Sequence, residues 1–264
     1  MHVKTKREAE IATGLSRTMD GPLQADETLD TLLQGRLKLY QSRSGYRISL
    51  DAILLACFAT IRSGDKVADL GTGNGVIALM LARLHRLRAM VGIELQPGMA
   101  NRAARNVKLN RMESRVSIVC GDVAAQTFKP ESFSLVISNP PYRKPTSGRV
   151  NPNAEKKIAR HEIRATLNDF LAAAAHLLAA KGRAALIYPA VRAIDLLTTM
   201  HSFGIEPKRL RMVHSFGHAE ASLVLVEGVK GGRGGVKIAR PLVLYERDRR
   251  YTAEAQAMLA GEGH

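Results

Sequence analysis

The sequence lacks tryptophan and has few aromatic residues and cysteines. Tyr and Phe make up 5% of the 264 residues, so we expect no extended stacking platform for single-stranded nucleic acid. Cys57 and Cys120 stand singly in apolar runs without Cys-x-x-Cys spacing, which predicts two buried, reduced thiols rather than a disulfide or zinc site. His214 and His218 have i,i+4 spacing, but Gly217 argues against a helix there. We therefore predict no bound metal.

Long apolar runs are also missing. The longest, residues 51–61 and 170–180, are shorter than the about 20 residues that cross a bilayer as a helix. The polar N-terminus does not resemble a signal peptide, and no internal repeat or low-complexity block interrupts the sequence. These absences predict a cytoplasmic protein without a membrane partner.

Positive charge is in excess. The chain has 39 Lys and Arg against 24 Asp and Glu, a net charge of +15 and a pI near 10.2, which favours a phosphate-bearing partner. Residues 143–164 hold seven Lys or Arg against two acids, and residues 83–115 hold eight against two. A basic surface that binds nothing remains an alternative.

The order of apolar runs predicts one α/β domain. Residues 1–29 lack apolar periodicity and are expected to form a flexible tail, residues 30–255 the domain, and residues 256–264 a C-terminal tail. Strands are predicted at 67–70, 89–94, 116–120, 133–138 and 183–188, with helices at 51–61, 75–87, 97–110, 166–181 and 191–203. This alternation predicts a mostly parallel sheet with helices on both faces, and two final β-type runs, 209–215 and 221–227, predict an antiparallel edge strand. The glycine-rich segment 231–235 reads as a flexible basic loop, either a linker or an RNA contact.

A short motif, Asn139 to Tyr142, follows the apolar strand at 133–138. Its two prolines fix the path of the backbone. The side-chain oxygen of Asn139 and the carbonyl of Pro140 can accept both hydrogens of an exocyclic amino group, while the Tyr142 ring offers a face to a planar base. The motif predicts methylation of a planar nitrogen, although alone it is equally compatible with an ordinary Pro-Pro turn.

A glycine-rich loop upstream decides between these interpretations. The strand at 67–70 runs into Gly71, Gly73 and Gly75 and then opens a helix, an arrangement typical of a cofactor site. A dinucleotide fingerprint needs its third glycine where Val76 stands, so the spacing favours S-adenosylmethionine over NAD. The glycines let the backbone lie against the cofactor, and Asp69 can meet a cationic amino group.

Two further acids end or follow strands. Glu94, 25 positions after Asp69, can accept hydrogen bonds from both ribose hydroxyls. Asp122 is suitably placed to read the adenine amino group. Each acid alone could be an ordinary strand-end or loop residue, but the four features in this order indicate a cofactor site.

Taken together, residues 69–75, Glu94, Asp122 and 139–142 resemble class I S-adenosylmethionine-dependent methyltransferases with an Asn-Pro-Pro-Tyr motif. Residues 46–55 and 159–162 resemble in particular the bacterial adenine-N6 methyltransferases of a valine tRNA anticodon loop. The likeness covers residues 30–255. It implies a seven-stranded sheet, S-adenosylmethionine as cofactor, and cofactor contacts from Tyr46, Asp51 and Asn139 in addition to the loop and acids.

RNA contacts are expected next to the catalytic motif. The predicted contact residues are Arg143, Lys144, Arg149, Lys156, Lys157, Arg160, His161 and Arg164. His161 can contact tRNA, or Glu162 beside it can cap or pair within the next helix, and both interpretations stay open.

The predicted reaction is N-methylation of adenine N6 in a tRNA. Asn139 and Pro140 would localise the nitrogen lone pair, without a metal or a general base. Glutamine methylation of release factors, guanine-N2 methylation of ribosomal RNA, DNA adenine methylation and a non-catalytic RNA-binding protein are the alternatives. The roughly 60 residues before the glycine loop leave little room for the helical domain of the glutamine enzymes. The sequence does not indicate the oligomeric state.

Overall fold

The computed structural model describes residues 23–44, 47–125, 128–141 and 165–262. In this part of the chain the strands are Glu27–Leu32 (β1), Leu37–Ser42 (β2), Lys66–Leu70 (β3), Ala89–Glu94 (β4), Val116–Cys120 (β5), Phe133–Ser138 (β6), Leu178–Pro189 (β7), Ile205–Phe216 (β8), Ala221–Lys230 (β9), Lys237–Ile238 (β10) and Leu242–Tyr245 (β11). The α-helices are Leu50–Phe58 (α1), Val76–Leu84 (α2), Pro97–Leu109 (α3), Leu167–Leu177 (α4), Ala193–Ser202 (α5) and Ala253–Ala260 (α6). Short 3-10 helices lie at Val123–Ala125 and Ala190–Arg192.

The large sheet has nine strands in the order β10-β8-β9-β7-β6-β3-β4-β5, with β11 also paired to β8. Strands β3 to β7 pair in parallel, while β9 runs antiparallel to both β7 and β8. The predicted mostly parallel α/β fold is therefore confirmed. The count exceeds seven because β10 and β11 pair with the outer side of β8. The antiparallel strand β9 lies inside this end of the sheet, between β7 and β8.

Helices cover both faces of the sheet because the central strands are apolar on both sides. On one face the core includes Leu54 of α1, Leu79 of α2 and Met258 of α6. On the other face Leu171 of α4 and Leu196 of α5 pack in a second cluster. No helix in the described ranges is both long and apolar enough to span a bilayer.

An N-terminal hairpin, β1 and β2, begins before the predicted domain boundary at residue 30. Its first residue, Glu27, is fully buried and forms ion pairs of 2.8 Å with both Arg102 and Arg105 of α3. Burial alone would raise the pKa of Glu27, but hydrogen bonds from Arg105 and Arg102 lower it to about 2. The prediction of a tail up to residue 29 is wrong at this point because β1 buries a paired charge instead of an apolar face.

The hairpin is attached to α3 by two asparagines one helical turn apart. Asn106 accepts a hydrogen bond from the backbone N–H of Tyr40 (2.7 Å) and donates one to its carbonyl (3.2 Å). Asn110 does the same with Lys38 (3.0 and 2.7 Å). These side chains thus satisfy the outer edge of β2 as a neighbouring strand would.

The C-terminal boundary also differs from the prediction. Helix α6 continues to Ala260, past the predicted end of the domain at residue 255. Thr252 caps it by accepting a hydrogen bond from the N–H of Ala255, and Met258 is buried against the core. The predicted tail is therefore helical over 256–260, because the helix buries an apolar side chain there.

Three local predictions need adjustment. Helix α4 ends at Leu177, four residues before the predicted end, because β7 begins at Leu178. Cys57 is buried, but Cys120 is exposed, since it ends the edge strand β5. The glycine-rich loop 231–235 is held by Lys208, whose Nζ donates to the carbonyls of Arg233 (2.8 Å) and Gly235 (2.7 Å).

Candidate active site

Four parallel strands end at the same edge of the sheet, called here the carboxyl edge. Leu70 at the end of β3 lies beside Ile93 of β4 and Ser138 of β6, and Glu94 lies beside Cys120 of β5. The structure therefore brings the glycine loop and the predicted residues Asp69, Glu94, Asp122 and Asn139 to one edge. This edge is where ligands bind in open α/β sheets.

The glycine loop needs its glycines for backbone conformation and for close packing. Gly71, Gly73 and Gly75 have positive φ values of 72°, 61° and 84°, which side chains other than glycine rarely adopt. A Cβ on Gly71 would lie 3.3 Å from the Phe170 ring. The N–H groups of Gly71 and Thr72 both donate to the carbonyl of Ile93 at 2.9 Å, so the loop is tied to β4 before α2 begins.

Asp69 is fully buried beneath this loop. Its Oδ2 accepts a hydrogen bond of 2.6 Å from Thr72 Oγ1, while Oδ1 has no hydrogen-bond partner within the described ranges. Burial raises the pKa of Asp69 to about 7; the Thr72 hydrogen bond opposes this rise, and the charge of Glu94 adds to it. A cation placed beside Oδ1 would stabilise the ionised carboxylate.

Glu94 holds the loop from the neighbouring strand. It is 6% exposed, and its two oxygens accept hydrogen bonds of 2.9 Å from the N–H groups of Gly73 and Gln96. Each carboxylate oxygen keeps a further lone pair for a hydroxyl group. Glu94 can therefore shape the loop and bind a ligand at the same time.

Asp122 lies beside a small, mainly apolar cavity. Its Oδ1 accepts a hydrogen bond of 2.9 Å from the N–H of Ala124, which caps the 3-10 helix. The other residues lining this cavity are Leu70, Ile93, Val123, Phe128, Ala173, His176 and Leu177. An apolar slot with a carboxylate at its side suits a planar heterocycle that carries an amino group.

Asn139 follows β6 directly and is half-buried, and Pro140 is buried. The preceding residue, Ser138, is 2% exposed and donates a 2.8 Å hydrogen bond from Oγ to the carbonyl of Leu70. This bond joins the end of β6 to the point where β3 enters the glycine loop. The predicted catalytic residue and the predicted cofactor loop are thus fixed to each other.

Several predicted site residues lie outside the described ranges. They are Tyr46, Tyr142, Arg143, Lys144, Arg149, Lys156, Lys157, Arg160, His161 and Arg164. Asp51 is described and occupies the first turn of α1, where a negative charge complements the helix dipole. Its contact with a cofactor stays a prediction.

Part of the second basic cluster, residues 83–115, lies away from the carboxyl edge. Arg86 and Arg88 precede β4 and Arg115 precedes β5, which places them at the opposite edge of the sheet, called here the amino edge. Arg102 and Arg105 are paired with Glu27. Arg86, Arg88 and Arg115 are therefore separated from Asn139 by the length of the strands.

Two asparagines near the site were not singled out from the sequence. Asn74 is 1% exposed, and neither polar atom of its side chain has a hydrogen-bond partner among the described residues. Its carbonyl accepts a 2.9 Å hydrogen bond from Asn106 Nδ2, the side chain that also binds Tyr40. Asn106 thus connects the N-terminal hairpin to the glycine loop, and its i,i+4 spacing with Asn110 is the signal that the sequence offers.

Known proteins resemble the chain over most of its length. The profile of the family described as "Methyltransferase small domain" matches residues 50–200. A Porphyromonas gingivalis protein named tRNA1(Val) (adenine(37)-N6)-methyltransferase is 31% identical over 200 residues, 73% of this chain and 78% of that protein. A protein of the same name from Tolumonas auensis is 28% identical over 219 residues, 83% of this chain and 90% of that protein.

A solved structure supports the fold. The crystal structure of a predicted O-methyltransferase from Agrobacterium tumefaciens superposes with a TM-score of 0.65 at 21% identity, covering 80% of this chain and 96% of that chain. Within the described ranges, no group of three or more His, Cys, Asp and Glu side chains is arranged to hold a metal ion.

Proposed function

The chain belongs to the methyltransferase small-domain family and uses S-adenosylmethionine, and on this premise we propose that it methylates N6 of an adenine in the anticodon loop of a tRNA. The observation that carries this proposal is the junction of β3 and β6. There, Asp69 is a buried carboxylate with one oxygen that has no hydrogen-bond partner among the described residues. It lies on β3, which pairs with β6, the strand that Asn139 directly follows. A cationic cofactor and an amino acceptor site can meet at such a junction.

The residues at the carboxyl edge fit this cofactor. Asp69 Oδ1 would pair with the cationic amino group, and the left-handed glycines let the backbone lie against the methionine part. Glu94 would accept from the ribose hydroxyls. The cavity beside Asp122 would take the adenine ring, with the carboxylate accepting from its amino group.

Asn139 and Pro140 would act on the substrate amine. S-adenosylmethionine supplies an electrophilic methyl group when bound. The nitrogen of an adenine amino group is a weak nucleophile because its lone pair is delocalised into the ring. The Asn139 side-chain oxygen and the Pro140 carbonyl would accept its two N–H bonds, draw the lone pair out of the ring and aim it at the methyl group. Tyr142 is proposed to stack on the flipped base.

A tRNA substrate is supported by charge and by the relatives. The net charge of +15 suits a phosphate backbone, and the relatives from P. gingivalis and T. auensis are named for tRNA. Residues 27–42 form a β-hairpin where a glutamine methyltransferase of release factors carries a helical domain. The proposed substrate implies a cytoplasmic enzyme.

Nucleoside mass spectrometry tests this proposal. Bulk tRNA, ribosomal RNA and DNA are digested from cells with and without the gene, and we expect N6-methyladenosine to fall in tRNA alone. In vitro, Asn139→Ala should abolish transfer to tRNA while S-adenosylmethionine binds within a few-fold of wild type. Loss of methylation from ribosomal RNA or DNA, with tRNA unchanged, would refute the tRNA assignment.

A further inference from the structure

Few aromatic residues are present, but four rings of the described chain are gathered at one place. His218 stacks on Phe216 with ring centroids 5.7 Å apart and planes at 20°. Phe216 lies 5.7 Å from Tyr245, and Tyr245 stacks on Tyr251 at 4.9 Å and 27°. These four residues are called the aromatic stack. His218 at its end is exposed, so the stack presents a ring to solvent rather than to the core.

A basic turn lies directly beside the stack. Residues 246–250, called the arginine turn, join Tyr245 to Tyr251, which pair as an antiparallel bridge. The turn is closed by hydrogen bonds from Glu246 N to the Arg250 carbonyl (2.8 Å) and from Arg249 N to the Glu246 carbonyl (3.0 Å). Its backbone is therefore held in place.

Two of the three arginines in this turn have no ion-pair partner among the residues that the structure describes. Arg250 pairs with Asp248 at 2.6 Å. Arg247 and Arg249 are exposed and form no ion pair with any residue in the described ranges. The turn can therefore offer two guanidinium groups to an anion.

The aromatic stack lies at the carboxyl edge of the sheet, as the proposed active site does. Phe216 ends β8, and the turn after β8 lies at the carboxyl edge because Val213 pairs with Leu223, which also pairs with Pro189 at the end of β7. With strands about 4.8 Å apart and about 3.3 Å per residue, Phe216 lies roughly 20 Å from Asn139. This distance is a few nucleotides along a strand.

We propose that the aromatic stack and the arginine turn form a docking surface for the RNA strand that flanks the methylated nucleotide. The inference rests on the proposed function and adds a contact surface to it. His218 would stack on an unpaired base, and Arg247 and Arg249 would bind phosphates. A planar ring face next to unpaired guanidinium groups fits single-stranded RNA, because every base has a ring face and every linkage a charge.

Binding of whole tRNA as a function of salt tests this surface. Arg247→Ala with Arg249→Ala removes two charges from the arginine turn, and Arg86→Ala with Arg88→Ala removes two exposed charges from the amino edge as the matched control. The first pair should weaken tRNA binding several-fold and lower the slope of log affinity against log salt by roughly 1.5. The control pair should leave the slope within error of wild type. Equal effects of the two pairs would overturn the inference.

A second pair of variants tests stacking separately from charge. His218→Ala should weaken tRNA binding about fivefold or more, and His218→Phe, which keeps a ring face, should retain wild-type affinity within about twofold. S-adenosylmethionine affinity should be unchanged in all these variants. Weakening by Phe as large as by Ala would overturn the stacking role.

The outcome for wild type separates this inference from the proposed function. If wild type methylates tRNA and both the arginine pair and His218→Ala bind tRNA normally, the proposed docking surface is wrong and the proposed function stands. If wild type methylates no tRNA, the proposed function fails and the inference fails with it.

Discussion

A buried aspartate lies near each end of strand β3, Asp65 just before it and Asp69 one residue before its end, and the two differ in their hydrogen-bond partners. At the amino edge, Asp65 accepts hydrogen bonds of 2.7 Å from Arg183 on both oxygens, together with bonds from Ser134 Oγ (2.8 Å) and Arg62 N (2.7 Å). At the carboxyl edge, Asp69 has a single hydrogen bond, from Thr72, and an oxygen without a partner among the described residues.

The difference in hydrogen-bond partners assigns a structural role to one aspartate and a ligand-binding role to the other. A buried charge that is fully paired holds elements together, and removing its partner is costly. A buried carboxylate with a vacant acceptor costs stability unless a ligand completes it. Asp65 therefore belongs to the scaffold, and Asp69 is the group that we expect to pair with a cofactor.

Loss of the ion pair at the amino edge should have a large effect on stability. Arg183→Met leaves the Asp65 carboxylate buried without its cation and should lower the free energy of unfolding by about 3–5 kcal/mol, measured by chemical denaturation. The affinity for S-adenosylmethionine should not change under conditions where the variant is folded. Adding Asp65→Asn should restore part of the stability. A large loss of cofactor affinity in folded Arg183→Met would contradict the division between the edges.

The pKa of the paired carboxylate Glu27 is shifted in the opposite direction from that of Asp69, so the two should give opposite pH dependences of stability. The pKa of Glu27 is lowered from 4.5 to about 2, so the stability it contributes is present above about pH 4.5 and is lost as pH falls through about 2. At about 1.4 kcal/mol for each pKa unit, roughly 3 kcal/mol is involved. Denaturation of wild type and Glu27→Gln between pH 6 and pH 2 should show this loss in wild type only. Parallel profiles would show that Glu27 is not the titrating group.

At the carboxyl edge, Asp69→Asn should lower cofactor affinity and not stability. Losing a charged hydrogen bond costs about 1.5–3 kcal/mol of binding, or roughly 10- to 100-fold in the dissociation constant. Because the folded pKa of Asp69 lies near 7, its stabilising contribution is present below about pH 4 and is lost as pH rises through 7. Asp69→Asn should remove that dependence from denaturation profiles of the ligand-free protein. If Asp69→Asn is strongly destabilised at pH 8, Asp69 belongs to the scaffold after all.

The smallest expected effect concerns the support of the glycine loop. Asn106→Ala removes the hydrogen bond to the Asn74 carbonyl and should weaken S-adenosylmethionine binding a few-fold. Asn110→Ala is the matched control, because it removes the same kind of contact to the hairpin without touching the loop. Equal affinities in the two variants, measured by calorimetry, would show that the connection does not position the loop.

The parallel half of the fold was predictable because each strand is a short apolar run followed by a polar turn. Strands β4, β5 and β6 have the predicted bounds. For the same reason the acids and Asn139 could be placed at one edge, since they follow or end strands that had to be parallel. The local sequence pattern was sufficient to predict strand positions wherever the buried residues were also the apolar ones.

Where burial and apolar character do not coincide, no local pattern indicated the structure. In β1 the buried residue is Glu27 and Leu29 is 49% exposed, so apolar periodicity is reversed and the hairpin was missed. The aromatic stack depends on β11 pairing in parallel with β8, with Tyr245 opposite Phe216. Neither the paired charge nor this register can be derived from neighbouring residues, because both depend on partners distant in the chain.

Proton release on binding tests directly whether a cationic cofactor pairs with Asp69. S-adenosylmethionine is titrated calorimetrically at pH 6.5 in buffers of different ionisation enthalpy, a pH at which an α-amino group with a pKa near 7.7 is already protonated. Because Asp69 has a pKa of about 7 and should ionise on pairing, wild type should release a substantial fraction of one proton, and Asp69→Asn should release none while binding more weakly. Binding without proton release in wild type, together with unchanged affinity in Asp69→Asn, would contradict the account.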